Sequence, residues 1–394
     1  MKKLIFFLLF ILINPNLIYS QFLPTSGPSG GAVYSIVVSG SNVFAATETG
    51  GVYRSSNNGD NWVQVVNGMG AQRINWMKGS GGTLYAGGQN GLYKSVNNGD
   101  NWMPVNFGAS SDVTALEVYG SDIYVGTSGG MLYKSTNSGT DWNILPGTSG
   151  TVRSIAVFEN ILFVAAIGVY ATSNGGANWY HEYIGGGPQI ELRKFYVINN
   201  ILRLGSFNGG KKKSTLMGGW ATDIPWISVV WGGGQINNYA ISVGLGGMYW
   251  SSDYGNSWHD PVAGYLLGVN LYSMDKNSQY VFAGGTTVYR RPISQFTGLN
   301  IISTNVPENY ELSQNYPNPF NPGTNIKFSI PATSNVNLEI FNQVGQSVKV
   351  LVNEDLAAGT YEYYFDASSL SSGIYLYTVS AGEFTQTKKM ILIK

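Results

Sequence analysis

Cysteine is absent from the 394 residues of this chain, so its fold is held by burial and hydrogen bonding and has no disulfides. Charge is scarce as well: Asp, Glu, Lys and Arg make up 11 % of the residues, against about 25 % in an average globular chain. The 22 basic and 22 acidic side chains cancel. Electrostatic capture of nucleic acid or anionic lipid needs clustered Lys and Arg, and the one basic cluster, Lys211-Lys212-Lys213, reads as a solvated edge. No nucleic-acid partner is expected. Histidine occurs twice, as His181 and His259, each within two residues of a repeated tryptophan at the rim of the fold described below; neither is a metal or acid–base candidate. Long apolar runs are lacking except at the start. There Met1-Lys2-Lys3 precedes the run Leu4 to Ile13, and Ile18-Tyr19-Ser20 precedes Gln21. This is the pattern of a secretory signal over 1–20, whose apolar core is too short to span a membrane. No membrane span is expected after its removal.

What the chain has in abundance is tryptophan at even spacing. Trp62, Trp102, Trp142, Trp179, Trp220 and Trp258 follow one another at steps of 40, 40, 37, 41 and 38 residues, the mark of a repeat architecture. Five of them end the same motif. Its copies are Ser55-x-Asn57-x-Gly59-x-x-Trp62, Ser95-x-Asn97-x-Gly99-x-x-Trp102, Ser135-x-Asn137-x-Gly139-x-x-Trp142, Thr172-x-Asn174-x-Gly176-x-x-Trp179 and Ser251-x-Asp253-x-Gly255-x-x-Trp258. Upstream of each lie short segments apolar at consecutive positions, such as Asn42 to Ala46 and Asp122 to Val125. These read as strands buried on both faces. Four antiparallel strands per unit, with the sheet covered on both sides, describe a propeller blade, so the fold class is all-β.

In the motif, Asn or Asp accepts hydrogen bonds from turn amides, Gly supplies a positive φ, and Trp packs over the hairpin. The repeat resembles the Asp-box of bacterial neuraminidases, although four of these five copies carry Asn in place of Asp. The resemblance implies that the box residues lie on the outer rim and are structural. Blade five is degenerate, with Gly210 to Ser214 in place of the usual Gly-Val-Tyr-Arg-Ser and a box to Trp220 one residue short. After the sixth blade a partial copy, Tyr280 to Gly284 and Thr287 to Arg290, stops without its Trp strand. Phe22-Leu23-Pro24-Thr25-Ser26-Gly27 reads like Ile144 to Gly150, which follows Trp142. The expectation is a seven-bladed β-propeller over 21–297, closed by a strand from the start of the mature chain.

From about residue 297 the composition changes: 298–309 reads as a polar linker and 310–394 as a small immunoglobulin-like β-sandwich. This last segment resembles the type A C-terminal sorting domain of the type IX secretion system. The resemblance is carried by Tyr310 to Pro322, Thr324-x-Ile326-x-Phe328-x-Ile330-Pro331, Val344-Gly345-Gln346, Leu370-x-x-Gly373-Ile374-Tyr375-x-Tyr377 and Lys388 to Lys394. It implies type IX secretion machinery and its sortase-like protease as partners, a secreted or outer-membrane-surface location in a Gram-negative bacterium, and Gly373, Tyr375, Lys388, Lys389 and Lys394 as parts of the sorting signal. Tyr316 to Pro322 is open to a second reading, as a rigid lead into the sandwich.

The propeller's own activity is less determined. No catalytic set, metal site or cofactor emerges: the sialidase Phe-Arg-Ile-Pro motif is absent, and no carboxylate pair of a glycoside hydrolase can be placed together. Aligning the blades sets Arg73, Arg153 and Arg193 at one repeat position, the start of the innermost strand, with Trp76, Trp226 and Trp231 nearby. These residues, above all Arg73, Arg153, Arg193, Trp76 and Trp226, either gather at a tunnel mouth and bind an anion, or pair locally and fill the core. Single propellers resembling photosystem II assembly factors act as protein-binding platforms. The function expected is therefore binding of an extracellular glycan or protein. The alternative is a sialidase-like or glucanase-like glycoside hydrolase.

Overall fold

The computed structural model describes residues 22–394 except 183, 185–190, 208, 214–218, 225–228, 237–238, 252–254, 260–265, 294–298, 304 and 368–369. Residues 1–20, read from sequence as a secretory signal, and Asp253 and Trp226 lie outside the described residues.

Blade one is an antiparallel meander of Val33–Ser39, Asn42–Thr47, Val52–Ser55 and Val63–Gln64. Its second strand is apolar at consecutive positions because neighbouring blades cover both faces: Val43, Phe44 and Ala45 are fully buried. The innermost strands of the remaining blades are Ile74–Ser80, Val113–Tyr119, Ser154–Phe158, Leu192–Ile198, Val230–Ile236 and Ser273–Lys276. Each packs on the next, and the last returns to Val33–Ser39, closing a ring of seven. Blades one to five each form a four-stranded sheet. Blade six has three strands among the described residues, and a lone bridge from Trp250 to His259 stands where the outer strand would run.

Blade seven takes its outer strand from the N-terminal end of the described residues. Leu23 pairs with Arg290 and Pro24 with Tyr289, the Thr25 amide donates to the Val288 carbonyl at 2.8 Å, and Phe22 is buried in the core shared with blade six. The same segment reaches blade one, where Trp62 Nε1 donates to Thr25 Oγ1 at 3.2 Å and Ser26 Oγ to the Asp60 carbonyl at 2.6 Å.

The geometry of the box turn explains why Asn serves at its second conserved position. Asn57 Oδ1 accepts from the Ser55 hydroxyl at 2.9 Å and from the Asn61 amide at 2.9 Å, while Ser55 Oγ accepts from the Gly59 amide at 2.7 Å. Asn97, Asn137 and Asn174 repeat this geometry. Each bond needs only one acceptor oxygen, which an amide supplies as well as a carboxylate does. Gly59 sits at φ 93° after Asn58 at 57°, two successive left-handed residues of which the second has no side chain to strain. The tryptophan then reaches back to the preceding blade: Trp102 Nε1 donates to the Val65 carbonyl at 2.9 Å.

Blade five departs from the repeat by burying charge. Arg203, where blade one has Phe44, pairs with Asp223 at 2.8 Å and donates to the Ile198 and Gly255 carbonyls at 2.7 and 3.2 Å. The lysine triplet is not a solvated edge, as composition suggested. It lies in the strand Gly209–Lys213, where Lys213 is buried and pairs with Glu182 of blade four at 2.6 Å, and Lys212 approaches Asp223 at 3.5 Å.

The C-terminal domain is a sandwich of two four-stranded antiparallel sheets over one apolar core that includes Phe320, Phe328, Leu338, Tyr377 and Met390. It starts earlier than composition suggested, because Leu299–Ser303, read as linker, pairs with Gly359–Asp366 as an edge strand. Three of its five residues, Leu299, Ile301 and Ile302, are apolar, which suits a strand better than a linker. The proline-rich segment clasps the last strand: Phe320 donates to Ile391 O and accepts from the Ile393 amide, both at 2.9 Å, and Gln314 Nε2 donates to Lys389 O at 2.8 Å. Asn315 N donates to the Tyr377 hydroxyl at 2.8 Å, and that hydroxyl donates to Ser313 O at 2.9 Å; burial pushes the Tyr377 pKa up to about 12.

Deleting Phe22 to Gly27 exposes the edge of blade seven and removes the partner of Trp62. The expected loss is about 3–5 kcal/mol from one buried aromatic and several hydrogen bonds, seen as a melting temperature lower by roughly 10 °C with increased aggregation. An unchanged melting temperature would show that the ring does not depend on this strand.

Candidate functional site

A bulge recurs at the head of the inner strands. Pairing skips from Val33 to Ser35, from Ile74 to Trp76, from Val113 to Ala115, from Leu192 to Phe195 and from Val230 to Gly232. A bulge leaves its extra residue unpaired and re-aims the side chain. The skipped Tyr34, Asn75, Thr114, Arg193, Lys194 and Trp231 all line one cavity of about 610 Å³ at the axis, and Arg73, Trp76, Asp112, Arg153 and Tyr272 line it too.

Fully buried anchors fix the true alignment: Val33, Ile74, Val113, Val152, Leu192, Val230 and Leu271. The residues after them form a first ring, Tyr34, Asn75, Thr114, Arg153, Arg193, Trp231 and Tyr272. Next comes a second ring, Ser35, Trp76, Ala115, Ser154, Lys194, Gly232 and Ser273. Arg73 is therefore not equivalent to Arg153 and Arg193. Its carbonyl accepts the Gln89 amide as Ala32 accepts Glu48 and Glu191 accepts Phe207, which makes Asn75 the ring member of blade two. Aligning the blades on their arginines alone thus sets blade two off by two residues. Arg73 nevertheless lines the same cavity as the other two.

The cations are engaged locally but not neutralised one for one. Arg153 and Arg193 share the single carboxylate of Glu191, at 3.3 and 2.7 Å. Arg73 donates Nε to Asn75 Oδ1 at 2.9 Å and lies 4.9 Å over the Tyr34 ring. Arg193 lies 4.2 Å over Trp231, and burial holds its pKa below the usual arginine range despite Glu191. Two donors on these residues, Arg193 Nε and Trp231 Nε1, are buried and have no hydrogen-bond acceptor among the described residues. Burial raises the Tyr34 pKa, against the pull of Arg73.

Lys194, Tyr272 and Glu191 were not singled out in the sequence. Lys194 was legible in principle, as a long cation at a ring position that is Ser, Ala or Gly in five of seven blades. From blade five it crosses the axis: its ammonium donates to the Tyr34 and Tyr272 carbonyls at 2.9 and 3.4 Å and lies 4.4 Å over Trp76. Burial, helped by the nearby Lys78 charge, lowers its pKa to about 7.

The other sequence-derived residues lie elsewhere. The box residues Asn57, Gly59, Trp62, Asn97, Gly99 and their repeats occupy outer hairpins, remote in the blade from the inner strands. His181 tilts against Tyr170 at 5.1 Å, and His259 stacks on Trp250 at 4.2 Å and faces Glu362 of the sandwich at 3.5 Å. Among the described residues no cluster of three or more His, Cys, Asp or Glu could hold a metal ion, and no helix is long and apolar enough to cross a membrane. In the sandwich, Gly373 opens the strand Gly373–Ala381, Tyr375 donates its hydroxyl to Ser371 O at 2.8 Å, and Lys388 and Lys389 lie on the last strand, Phe384–Leu392.

Comparison with known proteins agrees with this two-part organisation. Residues 314–394 match the secretion system C-terminal sorting domain. Comparison with curated proteins returns no match. Among solved structures, YCF48 from Cyanidioschyzon merolae superposes with a TM-score of 0.55 at 16 % identity, over 70 % of this chain and 100 % of that one. YCF48 bound to D1 peptide gives 0.56 at 14 %, over 70 % and 96 %. PorZ, a bacterial surface component of the type IX secretion system of Porphyromonas gingivalis, gives 0.56 at 13 %, over 94 % of this chain and 61 % of that one. A GH74 enzyme from Niastella koreensis gives 0.54 at 13 %, over 95 % and 75 %. These likenesses establish the propeller fold. The sorting domain establishes export by the type IX route to the cell surface or the medium, and with it an interaction with the secretion machinery.

Two outcomes follow from this geometry. A lysine whose folded pKa lies below its unfolded value of about 10.4 destabilises the folded state while both states are protonated. The penalty is complete below pH 7 and is relieved as pH rises from 7 towards 10. The Lys194→Met variant should therefore lose a rise in melting temperature between pH 7 and 9 that the parent shows, and parallel curves would refute the assignment. Truncation after Phe296 should leave folded propeller in the periplasm, and normal extracellular levels of the truncated chain would contradict the sorting role.

Proposed function

We propose that this chain is an extracellular binding protein whose propeller captures its ligand in the axial mouth. The observation that carries this reading is the cavity itself: bulges at equivalent positions of five blades turn polar and aromatic side chains into one space of about 610 Å³, within the range of small-ligand and peptide-end sites. Arg73, Arg153, Arg193 and Lys194 outnumber the acidic groups at its edge, Asp112 and Glu191, which favours an anionic ligand. Three of the aromatic rings already carry a cation of the protein on a face, and stacking on a sugar needs a free face. A protein or peptide ligand is favoured over a glycan on that ground. A sortase-like protease would remove the sandwich after passage, releasing the propeller or leaving it on the outer surface.

The rival is a glycoside hydrolase of sialidase or glucanase type. Glu191 is engaged by two guanidinium groups, which suits holding a position better than attacking a sugar. A peptide and glycan binding array run beside a hydrolysis screen on the mature chain should give binding without turnover. Replacing Arg73, Arg153 and Arg193 together by Gln should abolish that binding, each lost charge-assisted contact costing about 1.5–3 kcal/mol, with the melting temperature nearly unchanged. Turnover of a glycan, or binding that survives the triple substitution, would overturn the reading.

A further inference from the structure

The second ring decides what shape of ligand the mouth accepts. Five of its members are Ser35, Ala115, Ser154, Gly232 and Ser273, too short to reach the axis. Two of the serines are spent on the wall, Ser35 Oγ accepting the Met77 amide at 3.1 Å and Ser154 Oγ the Phe195 amide at 3.0 Å. The remaining two are long, and they meet. Trp76 is held by its indole N–H to Thr114 O at 2.7 Å, and Lys194 lies over its ring with its ammonium tied to blades one and seven. On the far side lies a separate cavity of about 380 Å³, bordered by Lys78, Tyr196 and Asp275. Trp76, Lys194 and Tyr272 line both spaces. They form a septum across the tunnel.

We propose that the mouth is a blind socket for the carboxylate end of a polypeptide, with the Lys194 ammonium as its floor, and that no chain threads along the axis. This rests on the mouth being the ligand site. A septum stops a polymer that would pass through but accepts an end, and a chain end whose last group is an anion meets guanidinium groups on the wall and an ammonium below. The buried, acceptorless Arg193 Nε and Trp231 Nε1 fit an acceptor-only group better than a hydroxyl-rich one. An α-amide end would bring donors and no charge to the same place.

The test uses the mature chain and two pools of random hexapeptides lacking Asp and Glu, identical except that one ends in a free α-carboxylate and the other in an α-amide. Retention is quantified by mass spectrometry, with trigalacturonate as a glycan probe. The acid pool should be retained at least about tenfold over the amide pool. Lys194→Gln should erase that preference, and Arg153→Gln with Arg193→Gln should abolish retention of both pools. Should Lys194→Gln fail to fold by near-ultraviolet circular dichroism, the acid-to-amide ratio of the parent still decides. Equal retention of both pools, lost in the double arginine variant, overturns the blind socket and leaves the mouth as the binding site. Retention of trigalacturonate in place of peptides overturns the polypeptide assignment. No retention of any probe overturns both the socket and the mouth reading.

Discussion

A blade of this propeller can bury both faces of its central strands only against its two neighbours, and the rest of the structure depends on that constraint. Val43, Phe44 and Ala45 are fully buried although successive side chains of a strand point to opposite sides. An open row of such blades would leave one apolar face bare at each end. The closing strand Leu23–Pro24 removes that state by making a segment that precedes blade one part of the last blade. Edge protection works in the same direction. The outer strands are two to five residues long, and those of blades two and seven contain Pro104 and Pro24, which cannot donate to a passing strand.

Closure also explains the role of the rim. In the box turns a tryptophan or an arginine reaches from one blade to the next. Trp102 bonds Val65 O, Arg54 pairs with Asp100 at 2.6 Å and Arg290 with Asp60 at 2.6 Å. Exposed pairs of this kind contribute little each. Their value lies in register, since each fixes the rotation of one blade on another, and summed around the ring that rotation decides whether seven blades meet. A chain with so few charges places several of them at these joints.

The repeat made the fold readable. Its tryptophans gave the period, the consecutive apolar residues gave strands covered on both sides, and the truncated last copy with a matching N-terminal segment gave the closure. The sorting domain was readable for another reason: its residues form a specific pattern that local physics does not require. The mouth was only partly readable. Arg153 and Arg193 were found because they break a repeat position, and Arg73 was grouped with them through a two-residue misalignment that only the pairing around Ile74 and Trp76 corrects. Tyr272 escaped notice because blade seven lacks the box that would have set its register. Lys194 was hidden by standing next to Arg193. Contacts across the axis, from blade five to blades one and seven, join residues about 160 and 78 apart in sequence, and no local period reports them.

Blade five departs from the repeat on both of its edges, and the two departures have a common physical logic. Outward, Arg203 replaces a core aromatic and pairs with buried Asp223, while Lys213 pairs with Glu182. Inward, Arg193 and Lys194 stand at ring positions that, Arg153 apart, carry neutral residues in the other blades. A buried ion pair adds little stability over apolar residues of the same volume, yet removing one partner is costly, so such pairs fix a single geometry for the strand that bears them. Arg203 donates to the carbonyl of Ile198, the last residue of the strand that begins with Leu192 and Arg193. The buried charge on the outside of blade five thus anchors the far end of the strand whose near end presents Arg193 and Lys194 to the mouth. The blade that diverges most from its siblings is in this way the one best held to place cations at the axis.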